Sequence, residues 1–352
     1  MADNSTYSKR TVEIRVGGRY RLGKKIGAGS FGEIYEGTDI FDGSDVAIKL
    51  EHNSIKYPQL LFEAKLLKSI PGTGIPQMHW FGIAGEYNAM VMELLGQNLE
   101  DLFNFCTRNF TLKTLLLIAI QLIERIKHVH ENHYVHRDIK PSNLMIDSNG
   151  YVKVIDFGTA KKIKKGEKTK TVIGTPNFIA PEVLTGKGYS FSCDYWSIGI
   201  CIYYIFYGKL PFGNNSIEIM DTYKEILEKE VEFPDKNNNE INSLVSSLLE
   251  KDEKKRNTDF KNIKTHLLFS DFNWDELIQY KVKPPFVPGR DSRHNTDNLK
   301  NKNLPFVMFM ENERSDIKQT VTLKFNSSAK KAVNTKPINY ACNIPKNWFE
   351  DF

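Results

Sequence analysis

The chain has 352 residues, of which 40% are hydrophobic and 26% charged. That balance excludes collagen-like, low-complexity and wholly disordered chains, and at roughly 150 residues per domain it points to about two compact units. A net charge of +5 is too mild to argue for nucleic acid as a partner.

Four cysteines, Cys106, Cys193, Cys201 and Cys342, make no CxxC pair. A disulfide framework or zinc ribbon is therefore disfavoured and a reducing compartment fits; the expected location is cytoplasmic, with the nucleus as the alternative. The opening MADNSTYSKR has no apolar signal-peptide run. The most apolar stretches, 112–123 and 196–207, fall short of the ~20 residues that cross a bilayer, so no membrane span is expected.

Residues 1–12 are polar and expected to be flexible. From 19 to 92, short β-branched or aromatic runs alternate with glycine turns, and 19–26, 33–38, 45–51, 75–83 and 87–94 read as strands. The stretch 57–70 breaks that pattern: Leu60, Leu61, Ala64, Leu67 and Lys68 recur at helical spacing. After Gly96 the texture is helical, at 99–105, 112–131, 193–207, 216–228 and 240–249, with short strands at 144–146 and 152–155 around a turn at 147–150. The fold class is therefore α+β: a small antiparallel unit with one main helix, then a mainly helical unit ending near 269. The Pro- and Asn-rich remainder, 270–352, reads as an extension lying on a surface.

The run GAGSFG at 27–32 is a GxGxxG placed between two predicted strands. A dinucleotide-dependent oxidoreductase would place it between a strand and a helix within a parallel sheet, which this pattern lacks. A glycine-rich hairpin can press its N–H groups onto phosphates; a plain glycine turn is the alternative. VAIK at 46–49 sets Lys49 among apolar neighbours on the next strand, where it could hold phosphate oxygens if an acidic residue fixed it. Glu63 on the amphipathic helix is that residue, and two solvated charges are the alternative.

His136-Arg137-Asp138 opens a loop running Ile139-Lys140-Pro141-Ser142-Asn143; Asp156-Phe157-Gly158 and Ala180-Pro181-Glu182 follow. In this order and spacing the set resembles the signature of eukaryotic protein kinases. The resemblance implies a two-lobed fold: small lobe 13–92, hinge 93–96, large lobe 97–269 and C-terminal tail 270–352. It implies ATP and Mg²⁺ as cofactors and proteins as substrates. Asp138 would accept the substrate hydroxyl's proton, Asn143 and Asp156 would hold Mg²⁺, and Lys49 fixed by Glu63 would hold the α- and β-phosphates. Lys140 matches the lysine of serine/threonine-directed enzymes. The nucleotide would lie among Ile26, Gly27, Gly29, Gly32, Ile34, Ala47 and Lys49. At the hinge, Met92 would guard the back of the adenine pocket while Glu93 and Leu95 offer backbone hydrogen bonds.

Two closer resemblances divide the chain. Residues 17–143 resemble casein kinase 1, through GGRYRLGKKIGAGSFGEIYEG, QLLFEAKLLK, GIPQMHWFG and VMELLGQNLEDLFNFC. Residues 150–352 resemble AGC kinases, nearest the cGMP-dependent branch, through VIGTPNFIAPEVLTGKGYSFSCDYWSIGICIYYIFYGKLPFG, KPPFVP and the FxxF ending at 349–352. The second resemblance implies a Glu182–Arg256 pair and bracing of the catalytic loop by Asp194 with Trp196. It also implies an activation-loop phosphosite at Thr171, with Arg137 and Lys161 as basic partners and an upstream activating kinase. No cyclic-nucleotide-binding module is visible in the sequence. Ser142 and Tyr204 stand where that family has acidic residues, while six lysines in 161–170 could attract acidic substrates. The competing readings are a constitutively active enzyme like casein kinase 1 and a catalytically weak scaffold.

Overall fold

In the computed structural model of the chain, which describes residues 13–29, 32–164 and 166–288, the N-terminal part builds a six-stranded antiparallel sheet. Its strands are β1 (Arg15–Val16), β2 (Tyr20–Gly29), β3 (Gly32–Asp39), β4 (Asp45–His52), β5 (Met78–Ala84) and β6 (Tyr87–Glu93), in the order β1-β2-β3-β4-β6-β5. Side chains alternate across a strand, and β4 uses both faces. Val46, Ile48 and Leu50 join an apolar cluster with Tyr20, Ala89 and Val91. On the other face, Lys49 and Glu51 reach α1 (Leu60–Ser69).

Helix α1 buries Leu60, Glu63, Ala64 and Leu67, one face at helical spacing. It begins at Leu60 rather than 57, since Pro58 disfavours helical geometry at Tyr57. Leu61 is on its outer side, 43% exposed. Similarly, β5 begins at Met78 and not at 75, just past Pro76, which has no N–H to give a ladder.

The second region is helical: α2 (Leu99–Phe105), α3 (Leu112–Glu131), α4 (Pro181–Leu184), α5 (Ser192–Tyr207), α6 (Ile219–Glu228), α7 (Asn239–Leu248), α8 (Phe260–Lys264) and α9 (Trp274–Ile278). Thr111 caps α3 by accepting the Thr114 N–H. Nearly every residue of α5 is buried, as expected of a helix apolar all round, and Trp196 stacks on Phe212 at 5.9 Å between centroids. Gly208 ends α5 in the left-handed conformation, φ 69°.

Short strands complete the framework. β7 (Tyr134–Val135) pairs with β10 (Lys161–Lys162), and β8 (Leu144–Ile146) pairs with β9 (Val152–Val154). These pairs flank the segment that carries the HRD and DFG residues.

The start of the presumed extension is well packed. Trp274 and Leu277 of α9 belong to the main core, and Trp274 meets Phe269 edge-on at 5.1 Å. Beyond α9, the Tyr151 hydroxyl donates to the Val282 carbonyl at 2.7 Å, and Pro288 lies against Gly96. The N-terminal residues 1–12, the tip of the glycine turn at 30–31, and the tail from 289 with its FxxF ending lie outside the described residues. Among the described residues no helix is long and apolar enough to cross a membrane.

Candidate active site

The sheet supplies the first half of the site. Lys49 Nζ donates to Glu63 Oε2 at 2.7 Å, with both side chains largely buried. Burial alone would push the Lys49 ammonium down, but the carboxylates of Glu63 and Asp156 outweigh it and leave its pKa raised. Opposite, Gly32 has φ 151°, and a Cβ there would stand 2.2 Å from the Leu50 carbonyl oxygen, so this position admits only glycine.

The helical region supplies the second half. Asp194 on α5 is fully buried and accepts the backbone N–H of His136 and of Arg137, each at 2.8 Å, while His130 Nε2 donates to it at 2.8 Å. Those bonds hold its pKa low against the penalty of burial. They also account for a left-handed Arg137, φ 73°, a conformation costing about 1–2 kcal/mol for a side chain with a Cβ.

His136 Nε2 donates to the Ile155 carbonyl at 3.0 Å, so its Nδ1 is the acceptor for the Asp138 N–H at 3.3 Å. The ring thus ties the HRD loop to the DFG segment. The Ile155 N–H donates to the Asn143 carbonyl at 3.0 Å and adds a second tie.

Asp138 stands at the end of this scaffold with every oxygen engaged. Oδ2 accepts from Lys140 Nζ at 2.8 Å and from Asn143 Nδ2 at 3.1 Å, and Oδ1 accepts from the Thr175 hydroxyl at 2.6 Å. The same hydroxyl accepts from Lys140 at 2.8 Å. Burial would raise the Asp138 carboxyl, yet the Lys140 charge and these bonds hold it below its ordinary value.

Asp156 adopts a left-handed backbone, φ 63° and ψ 63°. Its Oδ1 is buried with no hydrogen-bond partner. A buried carboxylate oxygen left bare is costly unless a ligand completes it.

Between the halves opens a cleft of about 310 Å³. Its roof is Ile26, Gly27, Gly32, Ile34, Ala47 and Lys49, and its inner wall Met92, Glu93 and Leu95. Asn143 and Asp156 close one end. Gly29, also singled out for the nucleotide, pairs with Gly32 across the turn. Asp138 and Lys140 sit beside the cleft through the Asn143 bond.

The sequence reading missed Met145 and Ile155, which line the cleft, and Asp101, whose Oδ2 accepts from Asn98 at 2.8 Å. The signal was adjacency: Met145 lies two residues past Asn143 and Ile155 directly before Asp156. Thr175 was also missed as a site residue.

The implied structural pairs are present. Arg256 grips Glu182 through two nitrogens at 2.5 and 2.9 Å and lies over the Trp196 ring. Tyr204 donates to Glu100 Oε1 at 2.8 Å under the Arg108 guanidinium. Near the HRD loop, Arg137 spends Nε and Nη2 on the carbonyls of Thr159 and Ala160, while Nη1 is buried with no hydrogen-bond partner. Lys161 on β10 pairs with Val135, two residues before Arg137, and the Thr171 carbonyl accepts from the Tyr189 hydroxyl at 2.6 Å.

An ammonium–carboxylate pair, a bare carboxylate and a positioned aspartate around a cleft of nucleotide size define a phosphotransferase. The chain matches the protein kinase domain over residues 20–269 and belongs to that family. An antiparallel sheet followed by helices fits the two-lobed fold of such kinases, and membership implies phosphoryl transfer from ATP to protein substrates. The donors also suit a magnesium ion. Among the described residues no three His, Cys, Asp or Glu side chains cluster as a metal cage, and magnesium is commonly held by one or two protein oxygens plus substrate phosphates.

Proposed function

We propose that this chain is a magnesium-dependent serine/threonine kinase. The observation that carries the reading is the Asp138–Lys140–Thr175 triangle beside a cleft that holds the Lys49–Glu63 pair and the bare Asp156 oxygen. Asp138, kept ionised by Lys140, orients the acceptor hydroxyl and takes its proton. Lys140 stands next to the transferred group and neutralises its charge. Lys49, held by Glu63, contacts the α- and β-phosphates. Asp156 and Asn143 would hold magnesium, whose chemistry is to neutralise phosphate oxygens. Ala47, Met92 and Met145 would flank the adenine, the Glu93 and Leu95 backbone would meet its edge, and Asp101 and Asn98 would offer polar groups to the ribose.

Within the family we read residues 17–143 as casein-kinase-1-like and 150–352 as AGC-like, on the sequence runs quoted above. The domain limits are 13–92, 93–96 and 97–269, with a tail from 270. Control falls to phosphorylation of Thr171 by an upstream kinase, with Arg137 and Lys161 as its partners; the Tyr189 hydroxyl, which holds the Thr171 carbonyl and lies beside the Arg137 guanidinium, supports this. Substrates are acidic or already phosphorylated proteins. Two features support that choice: the exposed Lys162, Lys164 and Lys170, and the engagement of the Glu100 carboxylate by Tyr204 beneath Arg108. The site of action is cytoplasmic or nuclear, in keeping with free thiols at Cys106, Cys193 and Cys201.

The test is phosphotransfer to casein and to a basic peptide. Asp156→Ala should lower kcat by about 10³-fold or more, as loss of a preorganised charge at the reacting group does; activity equal to wild type defeats the reading. Thr171→Ala should lower activity about tenfold, and an undiminished rate would favour constitutive activity.

A further inference from the structure

Two residues beyond Lys49 on β4, Glu51 is fully buried and has no part in the chemistry above. Its Oε1 accepts the backbone N–H groups of Gln59 at 2.7 Å and Leu60 at 3.0 Å. Its Oε2 accepts from the Asn88 side-chain amide on β6 at 3.3 Å. Gln59 is the N-cap of α1 and makes no side-chain cap of its own. The first N–H groups of a helix have no acceptor within it, and here a carboxylate from another element meets them at the end of the helix that favours negative charge.

Glu63, one turn along α1, is the partner of Lys49. Strand β4 therefore grips α1 twice from one face: through the Lys49–Glu63 pair and through Glu51 on the helix start. If α1 swung away from the sheet, Glu51 would lose both of its helical donors. Such a loss is far costlier than parting an exposed contact.

We propose that Glu51 is a positioning residue that locks α1 onto β4, so that Glu63 meets Lys49 without help from the segment around Thr171. The inference rests on the phosphotransfer reading above. Glutamine is the informative substitute because it keeps the shape. With its oxygen on the Gln59 and Leu60 N–H groups it keeps those bonds only as neutral ones, and its NH₂ then requires Asn88 to turn its own oxygen inward; with the amide reversed, the NH₂ faces the two helix N–H groups.

In the full chain, Glu51→Gln should lower kcat about tenfold and leave the KM for the protein substrate unchanged. Adding Asn88→Asp, which gives the new amide a charged acceptor, should recover part of that loss. In a Glu63→Gln background the same change should cost little more, because the carboxylate it serves to place is gone. An equal fold-loss in both backgrounds overturns the proposal, as does wild-type activity for Glu51→Gln. If Glu51→Gln fails to fold, hydrogen exchange in the wild-type chain decides. The Gln59 and Leu60 amides should be protected like the interior of α1, and free exchange there overturns the lock. A wild-type chain without phosphotransfer activity defeats the catalytic reading instead, and the exchange measurement still judges Glu51.

Discussion

Two kinds of contact hold the site, a side-chain pair on the sheet side and a backbone pin on the helical side. On the sheet side, Lys49 of β4 and Glu63 of α1 meet side chain to side chain. On the helical side, one buried carboxylate, Asp194, holds the HRD loop by its backbone. A side-chain pair can part while both elements stay folded. A loop pinned through its own N–H groups cannot leave without stranding the carboxylate and reopening two peptides. Adjustable geometry is therefore confined to the Lys49–Glu63 contact itself, while backbone pins, Glu51 at the start of α1 and Asp194 beneath the HRD loop, hold the elements on either side.

The sharpest way to break this contrast is to remove the pin. Asp194→Ala leaves two buried N–H groups and the His130 ring without their acceptor, and should cost about 3–5 kcal/mol, the scale of breaking a buried charged network. In a domain of this size that is roughly a 10 °C fall in melting temperature, with activity lost alongside stability. Calorimetry and the phosphotransfer assay would show it; a variant that melts like wild type would mean that the loop is held by its side chains after all.

Removing the sheet-side pair should do the reverse. Glu63→Gln keeps the shape of α1 and its burial, and Asp156 still faces Lys49 electrostatically. The fold should lose only about 1 kcal/mol, while kcat falls roughly 10- to 100-fold, the value of one or two hydrogen bonds to a charged group. Urea titration beside steady-state kinetics separates the two. A large stability loss here would erase the distinction between the halves.

This contrast also explains how much could be read from the sequence. The HRD, DFG and APE residues carry their identity in local order; Asn143 and Asp156 line one cleft, and Asp138 sits beside it through its bond to Asn143. Glu63 was legible because a strand lysine among apolar neighbours needs an acidic partner, and the amphipathic helix that follows offers one. Glu51 and Thr175 were not legible. Each acts through a fold contact: Glu51 with a helix start eight residues on, Thr175 with an aspartate 37 residues earlier. No periodicity marks such pairings. Helices α8 and α9, five residues each, are too short to show a repeat, and their burial comes from aromatic packing around Trp274. Strand and helix limits shifted where proline removed a donor or disfavoured helical backbone, at Pro76 and Pro58.

The smallest effects distinguish the halves by pH. Asp138 has a folded pKa below its ordinary value, so its stabilising contribution is complete above the unfolded value of about 3.9. That contribution is lost as pH falls from there through the folded value. Lys49 is raised, so its contribution is complete below the unfolded value of about 10.4 and disappears as pH rises through the folded one. The stability gap between wild type and Asp138→Asn should hold steady from pH 7 down to about 4 and narrow only below that. The gap between wild type and Lys49→Met should hold from pH 7 up to about 10 and narrow above it. Urea midpoints across pH 3–11 measure both. A Lys49 gap that narrowed between pH 7 and 10, or an Asp138 gap that narrowed between pH 7 and 4, would mean that the ionised form of that group is not what stabilises the site.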